Sequence, residues 1–479
     1  MLNTDAFFTI IAIVVPLVEL FGIIAAVHAI MNARTSQGAI AWGISLVTFP
    51  WLALILYAIF GRNKFKGYIS LRNLRDKSIQ HIIDSSQGEG LEKKLICEEL
   101  TTFEIALTRL SNLPMTRSNK SRLLIDGEET FDCIFKGLEF AKEYILIQFY
   151  IVQDDGLGRE LKTRLIQKVR EQVRVYFLYD EIGSYKLPRG YIQEMQDEGI
   201  EISAFHTTKG KANHFQLNFR NHSKIVIIDG KLAYVGGHNV GDEYVSRHPK
   251  FGPWRDTHVK LEGPVVKYVQ FCFTQDWYWA TTRIPDLKWD LKKAENGSEK
   301  TLLIASGPAD AFDTCSLMFV HAIHMARERL WIASPYFVPD TQVLSALKLA
   351  VLRGVDVRIL IPEKPDHRTV YLASFSYYEN TLPFGIKIYR YTKGFMHQKV
   401  FLVDSTYAAV GTANLDNRSF RLNFELTLLN FDSSFIKKVE DMIREDFSCS
   451  RPVEPTDYTR RSFFFKLAVR SARLLSPIL

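Results

Sequence analysis

Two pseudo-symmetric α/β lobes, each a mixed β-sheet flanked by helices, behind an N-terminal anchor of two transmembrane helices: this is the architecture that the 479 residues encode. Three features argue for it. Two long apolar runs open the chain, short apolar strands then alternate with helical patterns, and several of those segments recur in the same order in the two halves. An apolar fraction of 47% supplies a sizeable core and excludes a wholly disordered chain. A net charge of +7, from 60 Lys+Arg against 53 Asp+Glu, suits an anionic partner without choosing between a phospholipid surface and nucleic acid. Cys97, Cys133, Cys272, Cys315 and Cys449 are scattered and form no CxxC pair. That spacing argues against a disulfide framework or a cysteine zinc site and for a reducing compartment.

The anchor is assigned to residues 1–66. Phe7 to Ile30 is apolar apart mainly from Thr9, Glu19 and His28, and Ala39 to Phe60 carries no charge. At about 24 and 22 residues, each run is long enough to cross a hydrocarbon core as a helix. A signal peptide fits less well, because the start lacks a basic region and a second span follows. Arg62, Lys64, Lys66, Arg72, Arg75 and Lys77 follow the second run, whereas the short loop between the runs holds only Arg34. The positive-inside bias then puts both the N-terminus and the large body in the cytoplasm. Glu19 is costly within a span and reads as a protonated or helix-paired carboxyl more readily than as a functional one. Residues 67–115 are polar and read as a helical connector without chemistry of their own.

The body is read as a first lobe over 116–288, a polar linker over 289–300 and a second lobe over 301–450. Tyr150, Val152 and Asp154 match Tyr336, Val338 and Asp340; Val173–Tyr179 parallels Val355–Ile361; Gly199–Ile202 parallels Gly385–Ile388. The chemistry repeats as well. His222-x-Lys224 runs into an apolar stretch ending at Asp229, and His397-x-Lys399 into one ending at Asp404. Asn239 and Asn414 each stand seventeen residues after their histidine. One HxKxxxxD is a weak signal; two copies with matched asparagines inside a wider repeat are a strong one. The period of two along a strand directs each His and its Lys to one face.

These residue types suit transfer at a phosphodiester. Two ammonium groups and the Asn239 and Asn414 amides hold the non-bridging oxygens and offset charge in the transition state. One imidazole attacks phosphorus and the other protonates the leaving alkoxide, then deprotonates the acceptor. Asp256 and Glu425 are candidates to orient the imidazoles through their second ring nitrogen. Asp229 and Asp404 complete the catalytic set, although at the ends of their strands they also fit a turn-fixing role. Two lysines in one pocket repel a divalent cation, so neither metal nor cofactor is expected. His214, His238, His258, His321 and His324 show no ligand spacing and read as structural or surface residues.

The duplicated motif resembles the phospholipase D superfamily. The two N-terminal runs, Ala41, Trp42 and Pro50 in the second of them, Pro335-Tyr-Phe-Val-Pro339, Gly411-Thr-Ala-Asn-Leu-Asp416 with Arg418 and Ser419, Asn423-Phe-Glu425 and Ser476-Pro-Ile-Leu479 are similar to the bacterial cardiolipin synthases. The resemblance covers essentially the whole chain. It implies two phospholipase D-like lobes and phosphatidyl transfer between two phosphatidylglycerols, giving cardiolipin and glycerol. It also implies a multi-pass protein of the bacterial inner membrane, His222 as nucleophile and His397 as general acid and base. One departure stands out: Gly237 occupies a position where the family often has serine, and Thr412 its counterpart. Two other enzymatic readings stay open, a phosphodiester hydrolase of the same superfamily and a synthase with a phosphatidylethanolamine donor; a non-enzymatic membrane scaffold is disfavoured by the two complete His/Lys/Asn sets. The chain next to two spans argues against a nucleic-acid partner, and a homo-oligomer is left open.

Two basic segments complete the reading. Lys209, Lys211 and Arg220 with Phe215 and Phe219 read as a lipid-facing lip or as a solvated loop. In the tail, over 451–479, Lys466, Arg470 and Arg473 share one helical face flanked by Phe463, Leu467 and Leu474. That is a basic amphipathic helix suited to an anionic membrane surface, or alternatively one packed on the body.

Overall fold

The N-terminal apolar runs form three helices, α1 (Thr4–Asn32), α2 (Ser36–Thr48) and α3 (Pro50–Phe60), in a computed structural model that describes residues 4–61, 65, 68, 93–206, 218–249 and 251–479. Among the described residues, Ile11–Asn32 is the one helical stretch long and apolar enough to cross a membrane. The second run, expected as a single helix, is broken at Phe49. Pro50 has no N–H to give to Leu46, so the ladder lapses after Phe49 N–H to Ser45 O at 2.9 Å and resumes with Ala53 N–H to Phe49 O at 3.0 Å. Gly22 of α1 faces this break, where a Cβ would lie 2.5 Å from Leu46 O. His28 Nδ1 meets the Tyr57 hydroxyl at 2.7 Å, and Trp42 packs edge-on against the same ring. Glu19 is exposed on α1.

The described residues fall into two compact units, one within Met1–Ser70 and Thr207–Phe219, the other within Leu71–His206 and Arg220–Leu479. The basic residues that follow the second apolar run, most of the connector, and Lys209, Lys211, His214 and Phe215 lie outside the described residues. Phe219 is buried and stacks on Phe65 with ring centroids 5.2 Å apart, so it is no exposed lip. In the larger unit the connector ends in the helix Thr102–Ser111. Its capping box joins Thr101 to Glu104, whose carboxylate also meets Lys300 Nζ at 2.7 Å.

The first half supplies β1 (Thr116–Ile125), β2 (Tyr144–Phe149), β3 (Arg174–Asp180), β4 (Glu201–Phe205), β5 (Ile225–Ile228), β6 (Leu232–Gly236) and β7 (Thr257–Glu262). The second half supplies β8 (Glu299–Ser306), β9 (Arg329–Ala333), β10 (Asp356–Pro362), β11 (Lys387–Tyr391), β12 (Val400–Val403), β13 (Tyr407–Gly411) and β14 (Asn423–Asn430). The strand order is β4-β3-β2-β5-β6-β7-β1 in one half and β11-β10-β9-β12-β13-β14-β8 in the other. Antiparallel β1 and β8 join the two into one continuous mixed sheet. The β2-β3-β4 and β9-β10-β11 neighbours are parallel, which requires crossover helices on the sheet faces. Gly156–Arg170 and Thr341–Leu352 provide the first crossover in each half. Each half has its own apolar cluster, around Ile147, Phe177 and Leu165 in the first and Ile332, Ile359 and Phe401 in the second. The segment expected as a polar linker is seated rather than free: Trp289, Leu291 and Ala294 are buried, and Ala294 N–H donates to Ser118 O at 3.0 Å.

Asp229 and Asp404 end β5 and β12 in the left-handed region, at φ 52° and 51°. The Asp229 carboxylate accepts N–H bonds from Lys142, Glu143 and Tyr144, tying this turn to the start of β2. Asp404 does the same with Arg327, Glu328 and Arg329 at the start of β9. Asp404→Ala strands three N–H donors and puts a Cβ-bearing residue without turn-forming chemistry at positive φ. It is expected to cost about 3 kcal/mol, with Asp404→Asn costing less; urea unfolding checks the order.

Candidate active site

Each motif histidine is held by backbone from the opposite half. Arg220–Asn221 pairs in parallel with Asn423–Phe424 at the start of β14, and His222 N–H donates to Phe424 O at 2.9 Å. Phe395–Met396 pairs in parallel with Trp254–Arg255, and His397 N–H donates to Arg255 O at 2.8 Å. These two short ribbons bring the next residue of the partner strand beside the imidazole. His222 Nδ1 lies 2.8 Å from Glu425 Oε2, and His397 Nδ1 lies 2.7 Å from Asp256 Oδ2. The carboxylates that hold Nδ1 of each ring are therefore exchanged between halves, which fixes the ring orientation. Both histidines line one cavity of about 700 Å³, together with Asn239 and Asn414. Asn239 Oδ1 accepts from Ile151 N–H at 3.1 Å, which turns its amide nitrogen, the donor end, away from that backbone.

The site is buried, and its lysines and carboxylates are enclosed together. Lys224 and Lys399 are buried, and each donates to the carbonyl of its own motif histidine. Burial pushes Lys224 down to about 7 and Lys399 to about 8, against the pull of Glu425 and Asp256. Burial likewise pushes His222 down to about 4 and His397 well below its ordinary value, with Lys399 adding to the second; Lys399 Nζ lies 2.7 Å from His397 Nδ1. Burial disfavours the charge on Glu425, yet His222 and Lys224 hold this carboxylate below its ordinary range. Glu425 also accepts from Thr412 Oγ1, Ser419 Oγ and Asn423 Nδ2.

The Gly237 and Thr412 difference has a steric cause. A Cβ on Gly237 would lie 2.0 Å from Asp256 Oδ1, so a hydroxyl-bearing residue there would displace the carboxylate that orients His397. Thr412 instead points its hydroxyl at Glu425. Behind the site, the buried His238 and His258 rings face each other with Nδ1 atoms 3.2 Å apart. Burial holds both near 3, so both are neutral. Arg255 is buried against Asp446, with Nε 2.7 Å from Oδ1 and Nη1 3.0 Å from Asp126, and this locks the strand that carries Asp256.

His222, Lys224, Asn239, Glu425, His397, Lys399, Asn414 and Asp256 thus converge. Asp229 and Asp404 do not. They lie five residues beyond their lysines along the strand, on the order of 15 Å away, with their carboxylates engaged by the turns already described. Sequence reasoning assigned no site role to Tyr150, whose ring edge meets His222 with centroids 5.0 Å apart, or to Trp254, 5.1 Å from His397. The match of Tyr150 with Tyr336 in the repeat was a usable signal, since both line the cavity; Trp254 carries none.

Two HxKxxxxD strands facing one cavity across a continuous sheet define an enzyme of the phospholipase D class. The family described as "Cardiolipin synthase, PLD-like domain" matches residues 134–250 and 319–447, and "Phospholipase_D-nuclease N-terminal" matches 20–62. Cardiolipin synthase A of Pseudomonas syringae pv. syringae (strain B728a) is 48% identical over 465 residues, covering 96% of this chain and 97% of the relative. Cardiolipin synthase A of Pseudomonas putida (strain GB-1) is 48% identical over 467 residues, covering 97% of each. The crystal structure of phosphatidylserine synthase from Haemophilus influenzae Rd KW20 shares the fold at 15% identity, with a TM-score of 0.60, over 79% of this chain and 100% of that one. The chain belongs to the cardiolipin synthase family.

The buried imidazoles make stability depend on pH. His222, His238, His258 and His397 titrate near 6.5 once unfolded and far lower when folded. As pH falls below about 6.5, the unfolded chain takes up protons that the folded chain refuses, so stability falls. Asp180 and Asp416, raised by burial to about 6, act in the opposite sense below that pH but are fewer. Tm by scanning fluorimetry is expected to drop steadily from about pH 6.5 toward about 4; a flat Tm would contradict four neutral buried imidazoles.

Proposed function

We infer that this cardiolipin synthase transfers a phosphatidyl group between two phosphatidylglycerols through a phosphohistidine. The observation that carries this is the crossed pairing, in which each imidazole has Nδ1 held by a carboxylate and Nε2 left toward the shared cavity. His222 Nε2 forms a bond to phosphorus as the phosphorus–oxygen bond to the glycerol headgroup breaks. His397 Nε2 gives its proton to that departing oxygen. The incoming phosphodiester anion raises the His397 pKa and so favours the protonated form that this step needs. A hydroxyl of the second phosphatidylglycerol then returns a proton to His397 while its oxygen attacks phosphorus and the phosphorus–nitrogen bond breaks. Lys224, Lys399, Asn239 and Asn414 hold the non-bridging oxygens. Family likeness supports His222 as the nucleophile, and the four partners on Glu425 support the more firmly oriented ring.

The wider organisation follows the same reading. The matching strand order supports two pseudo-symmetric lobes over 116–288 and 301–450. Helices α2 and α3, consecutive through Phe49, act together as a second crossing beside α1. With the basic residues after α3, this makes a multi-pass protein of the bacterial inner membrane with its body in the cytoplasm.

Purified protein in mixed micelles with phosphatidylglycerol as sole lipid is expected to release cardiolipin and glycerol in equal amounts, and to do so in excess EDTA. His222→Ala and His397→Ala should each lower turnover about a thousandfold or more. Phosphatidic acid without cardiolipin would make it a hydrolase. Turnover only after phosphatidylethanolamine is added would move the donor assignment.

A further inference from the structure

The helix Phe463–Leu474 divides its circumference into three sectors. Val469 and Ala472 are buried, and Phe465 packs on Phe375 with ring centroids 5.2 Å apart. Lys466, Arg470 and Arg473 form a basic sector beside it. The third sector carries Phe463, Phe464, Leu467 and Leu474 at 72%, 79%, 51% and 81% exposure, followed by Leu475. Elsewhere in the described body, large apolar side chains are exposed singly or in pairs, such as Phe140 and Phe312. Five on one helical segment make a contiguous patch of the kind that marks an interaction surface. No acidic residue occurs between Arg460 and Leu479.

The same segment enters the active site. Directly after the helix, Ile478 and Leu479 line the cavity that holds His222 and His397. Arg418, itself a lining residue just after the second motif, pins them: its N–H donates to Leu479 O at 2.8 Å and its Nη1 to Ile478 O at 3.2 Å. An exposed apolar and basic helix and a wall of the substrate cavity are therefore one continuous element.

We propose that residues Phe463–Leu479 form a membrane strap. Its apolar sector inserts into an anionic phospholipid surface, and Ile478 and Leu479 transmit that engagement to the cavity wall where a lipid enters. Charge selects this occupant: Arg470 is paired with Glu379 of the body, whereas Lys466 and Arg473 flank the apolar sector on a segment that carries no acid of its own, the pattern of a helix lying in a bilayer interface. The coupling to the cavity rests on the reading of the site as a lipid phosphatidyltransferase; the docking does not.

The test uses the full chain in nanodiscs containing phosphatidylglycerol, with Phe464→Cys carrying an environment-sensitive fluorophore and Phe140→Cys as the exposed control. At residue 464 a blue-shifted emission, quenched by spin-labelled lipid and weakened in phosphatidylcholine discs, is expected; at residue 140 neither is. Water-like emission at 464, or shielding that depends on protein concentration and not on lipid, would overturn the docking and assign the patch to solvent or to a second copy. This readout holds whether or not the chain turns over phosphatidylglycerol. For the coupling, Phe464→Ser with Leu467→Ser is expected to lose about tenfold turnover on nanodisc phosphatidylglycerol. It should keep full turnover on a short-chain, monomeric phosphatidylglycerol, which also shows that the variant folds. Equal losses on the two substrates, or none on either, would overturn the coupling.

Discussion

Two hydrogen bonds between imidazole and carboxylate, each crossing from one half of the body to the other, are the constraint on which the remaining structure depends. His222 is held by Glu425 and His397 by Asp256, so neither half alone fixes its own motif histidine. Both bonds need the opposing strand in register. The two short parallel ribbons set that register, the β1–β8 pairing at the centre of the sheet holds the halves together, and Arg255 between Asp446 and Asp126 fixes the Asp256 strand. A slip of one residue in either ribbon would turn the carboxylate to the other face of the strand.

The electrostatics follow from the same burial. Four nitrogen bases are enclosed with two carboxylates, and desolvation lowers the affinity of all four for protons. Each lysine donates to a neutral carbonyl, a weaker acceptor than a phosphodiester oxygen. An anion entering the cavity therefore gains charge-assisted bonds and moves the lysines and His397 toward their protonated forms.

Much of this was legible in the sequence, because duplication turns a weak motif into a strong one. The two His/Lys/Asn sets and the order of repeated strands could be read from spacing, and Asp256 and Glu425 were candidates as carboxylates downstream of the motifs. The exchange of carboxylates could not: the pairs lie 203 and 141 residues apart, and periodicity carries no information about which half a strand end meets. Asp229 and Asp404 sit inside the motif yet serve turns, since a motif position does not reveal which backbone groups a carboxylate will satisfy. The break at Phe49 was signalled by Pro50, whose missing N–H outweighs the apolar continuity of the run. Trp289 and Leu291 are buried because a polar composition can still seat its few apolar side chains, while Ala294 ties the segment to Ser118 of β1.

The crossed pairing is tested most directly by rapid-quench trapping of the phosphoenzyme from phosphatidylglycerol labelled in its phosphate, in the wild type, Glu425→Gln and Asp256→Asn. The expected result is an acid-labile, alkali-stable label on His222 that Glu425→Gln fails to form at the wild-type rate. In Asp256→Asn, whose defect lies with His397, the label should form slowly but persist, because its discharge is impaired as well. Slow formation with normal discharge in Asp256→Asn, alongside an unaffected Glu425→Gln, would mean that His222 answers to the carboxylate of its own half, and would contradict the account.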